Sequence, residues 1–160
     1  NVIFVTNRDD LVFQAIHYQP FRFIRKEKLN QELDEAICHL LNKLEKDEKM
    51  WEVQTKNGTE ILALKNILYI ESCKHYLRIK HINGECEMRG KISNLEKRMS
   101  NYGFVQTHRS YLVNVRYMKM VRANEVELDN GEILSVSRDK AQEVKKKQMI
   151  YLRSFAYANS

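Results

Sequence analysis

Apolar residues fall along this chain in two textures, and the change comes near residue 50. In the first texture, Val2-Ile3-Phe4-Val5 is an unbroken apolar run ending at Thr6. A run without alternation predicts a short strand buried on both faces, as in a parallel sheet. Asp9-Asp10 offers an N-cap for a helix over 10–18. Pro20 stops that helix, because proline biases the residue before it away from the α region. Phe21–Lys26 reads as a second strand. After Asn30, a capping residue, the apolar positions Leu33, Ile37, Leu40, Leu41 and Leu44 hold i, i+4, i+7 spacing, which predicts an amphipathic helix over 31–46. The first part therefore reads β-α-β-α.

The second texture opens at Trp51 and is made of short β-rich runs. Strands are expected at 51–55, 60–64, 67–71, 76–82, 85–89, 111–114, 117–122, 125–128 and 132–137. Asn57-Gly58, Asn83-Gly84 and Asn130-Gly131 separate such runs, and Asn-Gly suits the positive-φ positions of tight hairpins, so antiparallel pairing is expected. Two helices interrupt, at 92–99 and at 139–148, the latter capped by Asp139. Lys43 to Lys49 is a mixed-charge stretch that reads as helix end plus linker. The expected fold class is α+β: a partial α/β unit over 1–46, a linker over 47–50, and a mostly antiparallel β domain with short helices over 51–155.

Composition narrows the function. Hydrophobic residues make up 43% of 160, with one Pro and five Gly, so the chain is ordered rather than low-complexity. Its longest apolar runs are about four residues, against the ~20 of a membrane span. No signal peptide is evident, and a cytoplasmic location is expected. Cys38, Cys73 and Cys86 are an odd number and are expected as reduced thiols. The chain opens at Asn1, directly on an apolar strand, and is read as a fragment of a longer protein. Charge is uneven: residues 1–50 hold 8 Lys+Arg against 9 Asp+Glu, and residues 51–160 hold 19 against 12. A basic second half points to a polyanionic partner. No Gly-rich phosphate loop, Ser/His/Asp set or paired carboxylates appear, so no enzyme activity and no cofactor are expected. Cys73, His75, His81 and Cys86 match no common zinc spacing, and no metal is expected.

Particular residues carry a resemblance. Asn66-Ile67-Leu68-Tyr69-Ile70-Glu71-Ser72, Lys74-His75-Tyr76, Gly103 through Asn114 (Gly-Phe-Val-Gln-Thr-His-Arg-Ser-Tyr-Leu-Val-Asn) and Ser135-Val136-Ser137-Arg138 resemble the LytTR domain, the DNA-binding output module of a class of bacterial response regulators. The resemblance spans about 51–155 and implies a strand-rich domain that inserts loops into the major groove. Residues 1–46 resemble the end of a receiver domain. Thr6 stands where receivers keep a phosphoryl-bonding hydroxyl, Lys26 where they keep the phosphate-pairing Lys, and Phe23 in place of the switch aromatic. Glu27 departs from the Pro that usually follows that Lys. The first three strands, the acidic pocket and the phospho-accepting Asp have no counterpart in the chain.

The resemblance implies double-stranded promoter DNA as partner, and a sensor histidine kinase and a homodimer for the full-length protein. The expected DNA contacts are Lys74, His75, Tyr76, Arg109, Ser110, Ser137 and Arg138. Lys and His suit phosphates or guanine edges, Tyr a sugar, and an exposed Arg the bidentate fork to guanine. Which of His75 and Tyr76 leads stays open. Arg78 and Lys80 lie close by in sequence. His108 is expected to be structural, bonded to a backbone carbonyl, and Lys145-Lys146-Lys147 to be a solvated helix face. Arg138 is expected to read bases while the adjoining helix N-terminus holds a phosphate. The rival reading is a non-enzymatic module holding RNA or an acidic protein, with Tyr76, Tyr102 and Tyr111 stacking on unpaired bases.

Overall fold

In the computed structural model, which describes residues 2–8, 11 and 22–156, the two apolar runs at the start of the chain lie side by side. Strands β1 (Ile3–Val5) and β2 (Arg22–Ile24) pair in parallel, Ile3 opposite Arg22 and Val5 opposite Ile24. The Phe4 and Phe23 rings stack at 5.6 Å. The second strand is shorter than expected. Lys26 falls in a single 3-10 turn, Lys26–Lys28, and its backbone N–H bonds the Asn7 side chain at 3.0 Å. Thr6 follows the neighbouring strand, its own N–H bonded to the Ile24 carbonyl. Helix α1 (Leu29–Asp47) then runs 19 residues, one turn's fraction longer at each end than the spacing predicts. Apart from Leu11, the helix expected over 10–18 lies outside the described residues, as do its Pro20 stop and Phe21.

The chain divides into two compact units, 1–45 with 152–160 and 46–151. The larger one is built on a sheet of seven antiparallel-paired strands: β3 (Met50–Thr55), β4 (Gly58–Ala63), β5 (Ile67–Cys73), β6 (Tyr76–His81), β7 (Gly84–Arg89), β8 (Phe104–His108) and β9 (Tyr111–Asn114). Their order across the sheet is β4-β3-β7-β6-β5-β9-β8. A second sheet holds β10 (Met118–Val121), β11 (Glu125–Leu128) and β12 (Ile133–Ser135) in that order. Helix α2 (Ile92–Met99) and the part of helix α3 (Ala141–Ala156) up to Tyr151 complete it. The fold is α+β, with its β domain mostly antiparallel, as the sequence predicts.

Two cores flank the central strands. One gathers Val53, Leu62, Ile67, Ile70, Leu77, Ile79, Phe104 and Leu112 with Ile92, Leu95 and Met99 of α2. The other gathers Leu68, Tyr69, Val105 and Val113 with Val126, Leu128 and Leu134 of the small sheet and Val144 of α3. Strand β5 feeds both because its register shifts between Ile67 and Tyr69. A bulge inserts one residue and so resets which face the next side chain meets. That is why the run Ile67-Leu68-Tyr69-Ile70 is apolar throughout.

The structure corrects the reading in three places. Residues 104–108 form a strand that the sequence reading leaves out. Phe104, Val105 and Thr107 are all buried and the register shifts between Gln106 and His108, so the period of two is lost. At the three Asn-Gly turns only the glycine takes a positive φ (+132°, +146° and +85°), never the asparagine. The hairpins form, but with glycine as the single left-handed or near-left-handed residue. Helix α3 begins at Ala141 and runs to Ala156, not 139–148. Asp139 lies two residues ahead of it, in a turn where the Ser137 carbonyl accepts from both Lys140 and Ala141 N–H groups.

Candidate nucleic-acid interface

The β5–β6 hairpin closes on two residues, Lys74 and His75, because Cys73 pairs with Tyr76. Lys74 sits at φ +57°, the only non-glycine with positive φ among the described residues. Such a conformation costs an L-residue of order 1–3 kcal/mol and collects at functional sites. Both Lys74 and His75 are exposed, and Tyr76 is half-buried.

A second hairpin ends beside the first. His108 pairs with Tyr111 across the loop Arg109-Ser110, and the Ser110 carbonyl accepts from Ser72 N–H at 2.8 Å. Arg109 is exposed. His108 is structural, as expected, but through a different bond: its Nδ1 accepts from the Ser110 backbone N–H at 3.2 Å. This sets the loop. The run His108 to Asn114 thus splits by role. Leu112 and Val113 are buried one in each core. The Tyr111 hydroxyl donates to Glu71 at 3.0 Å. Buried Asn114 donates to the Ile67 carbonyl at 2.9 Å and accepts from Arg116 N–H. Only Arg109 and Ser110 point out of the sheet's end.

The third piece is the segment before α3. Ser137 N–H donates to the Thr107 carbonyl at 2.8 Å, which lays Ser137-Arg138 alongside the Arg109 loop. The Ser137 hydroxyl also reaches that carbonyl, at 3.4 Å. Asp139 is held below the ordinary carboxylate range, first by its hydrogen bond with the Ser137 side chain and then by its own backbone N–H, with Lys140 and His108 adding attraction. Asp139 therefore braces the turn rather than capping the helix. Arg138 is exposed.

So all seven expected contact residues come to one end of the seven-stranded sheet, on three neighbouring segments. Lys74, Arg109 and Arg138 have no ion pair among the described residues. Arg78 and Lys80, close in sequence, are not part of this set: Arg78 lies between Glu71 (3.4 Å) and Glu87 (3.7 Å), and Lys80 pairs with Glu85. In the lysine run of α3, Lys147 reaches the Phe104 carbonyl and Glu143, while Lys145 and Lys146 are exposed.

Three further cations share this end, and the sequence reading misses them. Arg89 pairs across from Tyr76, and Gly90 N–H bonds the His75 carbonyl, which brings Arg89 and Lys91 beside the first loop. Lys56, at the tip of the β3–β4 hairpin, places its ammonium 4.4 Å from the centre of the Tyr76 ring. Their signal was the hairpin register, since each lies at a strand end that register alone brings over. The three tyrosines of the rival reading do not make an open stacking face. Tyr76 is covered by Lys56, Tyr102 packs against the first core, and Tyr111 is tied to Glu71 and meets Tyr69 edge-on.

In the smaller unit, the Thr6 Oγ1 accepts from Arg8 N–H at 3.0 Å, and Thr6 and Lys26 both follow the C-terminal ends of adjacent parallel strands. No helix among the described residues is long and apolar enough to cross a membrane.

Residues 57–149 match the family described as the LytTr DNA-binding domain. Among solved structures, the chain is similar to the LytTr DNA-binding domain of a Bacillus cereus protein named as a methyl-accepting/DNA response regulator. The two share 20% identity at a TM-score of 0.55, over 61% of this chain and 94% of that one. At that identity the likeness bears on the fold alone. No curated protein matches the chain.

Proposed function

This chain belongs to the LytTr DNA-binding domain family, and on that premise we propose that it is a transcription regulator whose three-segment sheet end reads double-stranded DNA in the major groove. The observation that supports this best is the meeting of the segments 74–76, 109–110 and 137–138 through backbone hydrogen bonds between their strands. A major groove about 12 Å wide admits a β-hairpin. In this reading Arg109 and Arg138 fork onto base edges, since a guanidinium matches guanine O6 and N7. Lys74, Ser110 and the outer cations Lys56, Arg89 and Lys91 hold phosphates and set register. His75 and Tyr76 lie between them. Ser137 acts through its backbone turn, because its hydroxyl proton is engaged with Asp139.

The same reading makes residues 1–46 the end of a receiver domain in a cytoplasmic two-component regulator. A sensor histidine kinase would phosphorylate the full-length protein, and a homodimer would place two readers on two half-sites. The domain has no catalytic role in this scheme. The test is a selection from random duplexes followed by competition with single-stranded RNA. A defined duplex motif that RNA fails to displace is expected. Equal competition by RNA would favour the rival module.

A further inference from the structure

Far from the loop end, three side chains of different chemistry converge from three strands. They are Glu60 on β4, His81 at the end of β6 and Cys86 on β7. A carboxylate oxygen, an imidazole nitrogen and the thiol sulfur of these residues all lie within 4.8 Å of one another. Their separation along the chain hides them from any spacing rule, because Glu60 joins only through the fold.

Carboxylate, imidazole and thiolate together are the donor set of borderline transition-metal dications; calcium and magnesium take oxygen ligands. With metal–ligand bonds of about 2.0–2.3 Å, tetrahedral donors stand about 3.3–3.7 Å apart. Closing the observed spread to that asks for side-chain rotation of Glu60, which is exposed, and His81, which is half-buried. No Lys or Arg pairs with Glu60 among the described residues. The Cys86 thiol is buried beside it. A carboxylate with no ion-pair partner is a condition that a dication relieves.

We propose that Glu60, His81 and Cys86 form a binding site for a divalent metal of the zinc class. On binding, the Cys86 S–H bond breaks, its proton passes to solvent, and a sulfur–metal bond forms with no change of oxidation state. Three protein donors leave a fourth position for water. The site has a structural consequence. The β3–β4 hairpin joins the rest of the sheet through a single bridged pair, Thr55 with Met88. A metal shared by β4, β6 and β7 staples that hairpin at its far side.

Cobalt(II) added to the full chain under a non-thiol reductant gives the direct readout. One cobalt per chain is expected, with thiolate-to-cobalt absorption in the near ultraviolet that zinc displaces. Cys86→Ser should abolish the band. Glu60→Gln and His81→Gln, both at accessible positions and with folding checked by circular dichroism, should each weaken cobalt binding at least about tenfold. Zinc should also slow hydrogen exchange in β3 and β4. A chain that gives no thiolate–cobalt band overturns the site. So does a band that either Glu60→Gln or His81→Gln leaves unchanged, since it would then belong to Cys38 or Cys73.

Discussion

Lys74 combines an exposed positive charge with a backbone conformation that its own Cβ opposes. Those two properties separate by substitution. Lys74→Gly keeps the loop and should not lower stability in urea melts, while Lys74→Ala gains nothing; both should weaken duplex binding. If Lys74→Gly instead binds as tightly as the parent, the charge is idle. Arg109 and Arg138 carry the specificity in this account. Replacing either by Ala should cost about 1–3 kcal/mol at a selected duplex and relax discrimination at one base pair. Titration binding on selected and scrambled duplexes checks this, and equal losses on both would make these arginines phosphate contacts. Asp139 gives a pH prediction. Its carboxyl is depressed in the folded state, so it adds stability above its unfolded pKa, and that stability is lost as pH falls through the lower folded value. Ser137→Ala should raise the Asp139 midpoint in an NMR titration and shrink the stability difference between neutral and acid pH. An unmoved midpoint would remove Ser137 as the cause.

At the scale of elements, strand β8 contributes to both cores, with Phe104 in one and Val105 in the other. Phe104→Ala should therefore destabilise by about 3–5 kcal/mol in denaturant unfolding. A cost below about 1 kcal/mol would mean that Phe104 is not the core residue described. The β3–β4 hairpin, bridged to the rest of the sheet by one pair and otherwise anchored through Val53 and Leu62 in the first core, should exchange its amides before β5, β6 and β9. Helix α1 was legible because its apolar spacing from Leu33 to Leu44 was regular, and the β hairpins because Asn-Gly pairs punctuated their apolar runs. Strand β8 was not, because Phe104, Val105 and Thr107 are buried on two faces across a bulge and leave no alternation to read. The loop residues Lys74, Arg109 and Arg138 were found through the family resemblance; Lys56, Arg89 and Lys91 needed the register. Glu60 meeting His81 and Cys86 needed the tertiary fold.

At the scale of the molecule, the smaller unit has two parallel strands among the described residues and a helix with Ile37, Leu41 and Leu44 exposed at i, i+4, i+7 spacing. An apolar helix stripe favours association with another chain. The full chain is expected to be a dimer by light scattering, and Ile37→Glu with Leu41→Glu to be a monomer. A monomeric parent would contradict this. Binding should weaken with salt, with a log–log slope near −0.9 per phosphate neutralised. The central claim is where on the molecule DNA sits. Amide and side-chain NMR shifts of the full chain on adding a selected duplex test it most directly. The largest changes should gather at 74–76, 109–110 and 137–138, with weaker ones at Lys56, Arg89 and Lys91. Changes gathered instead on β10–β12, or on α1, would contradict it.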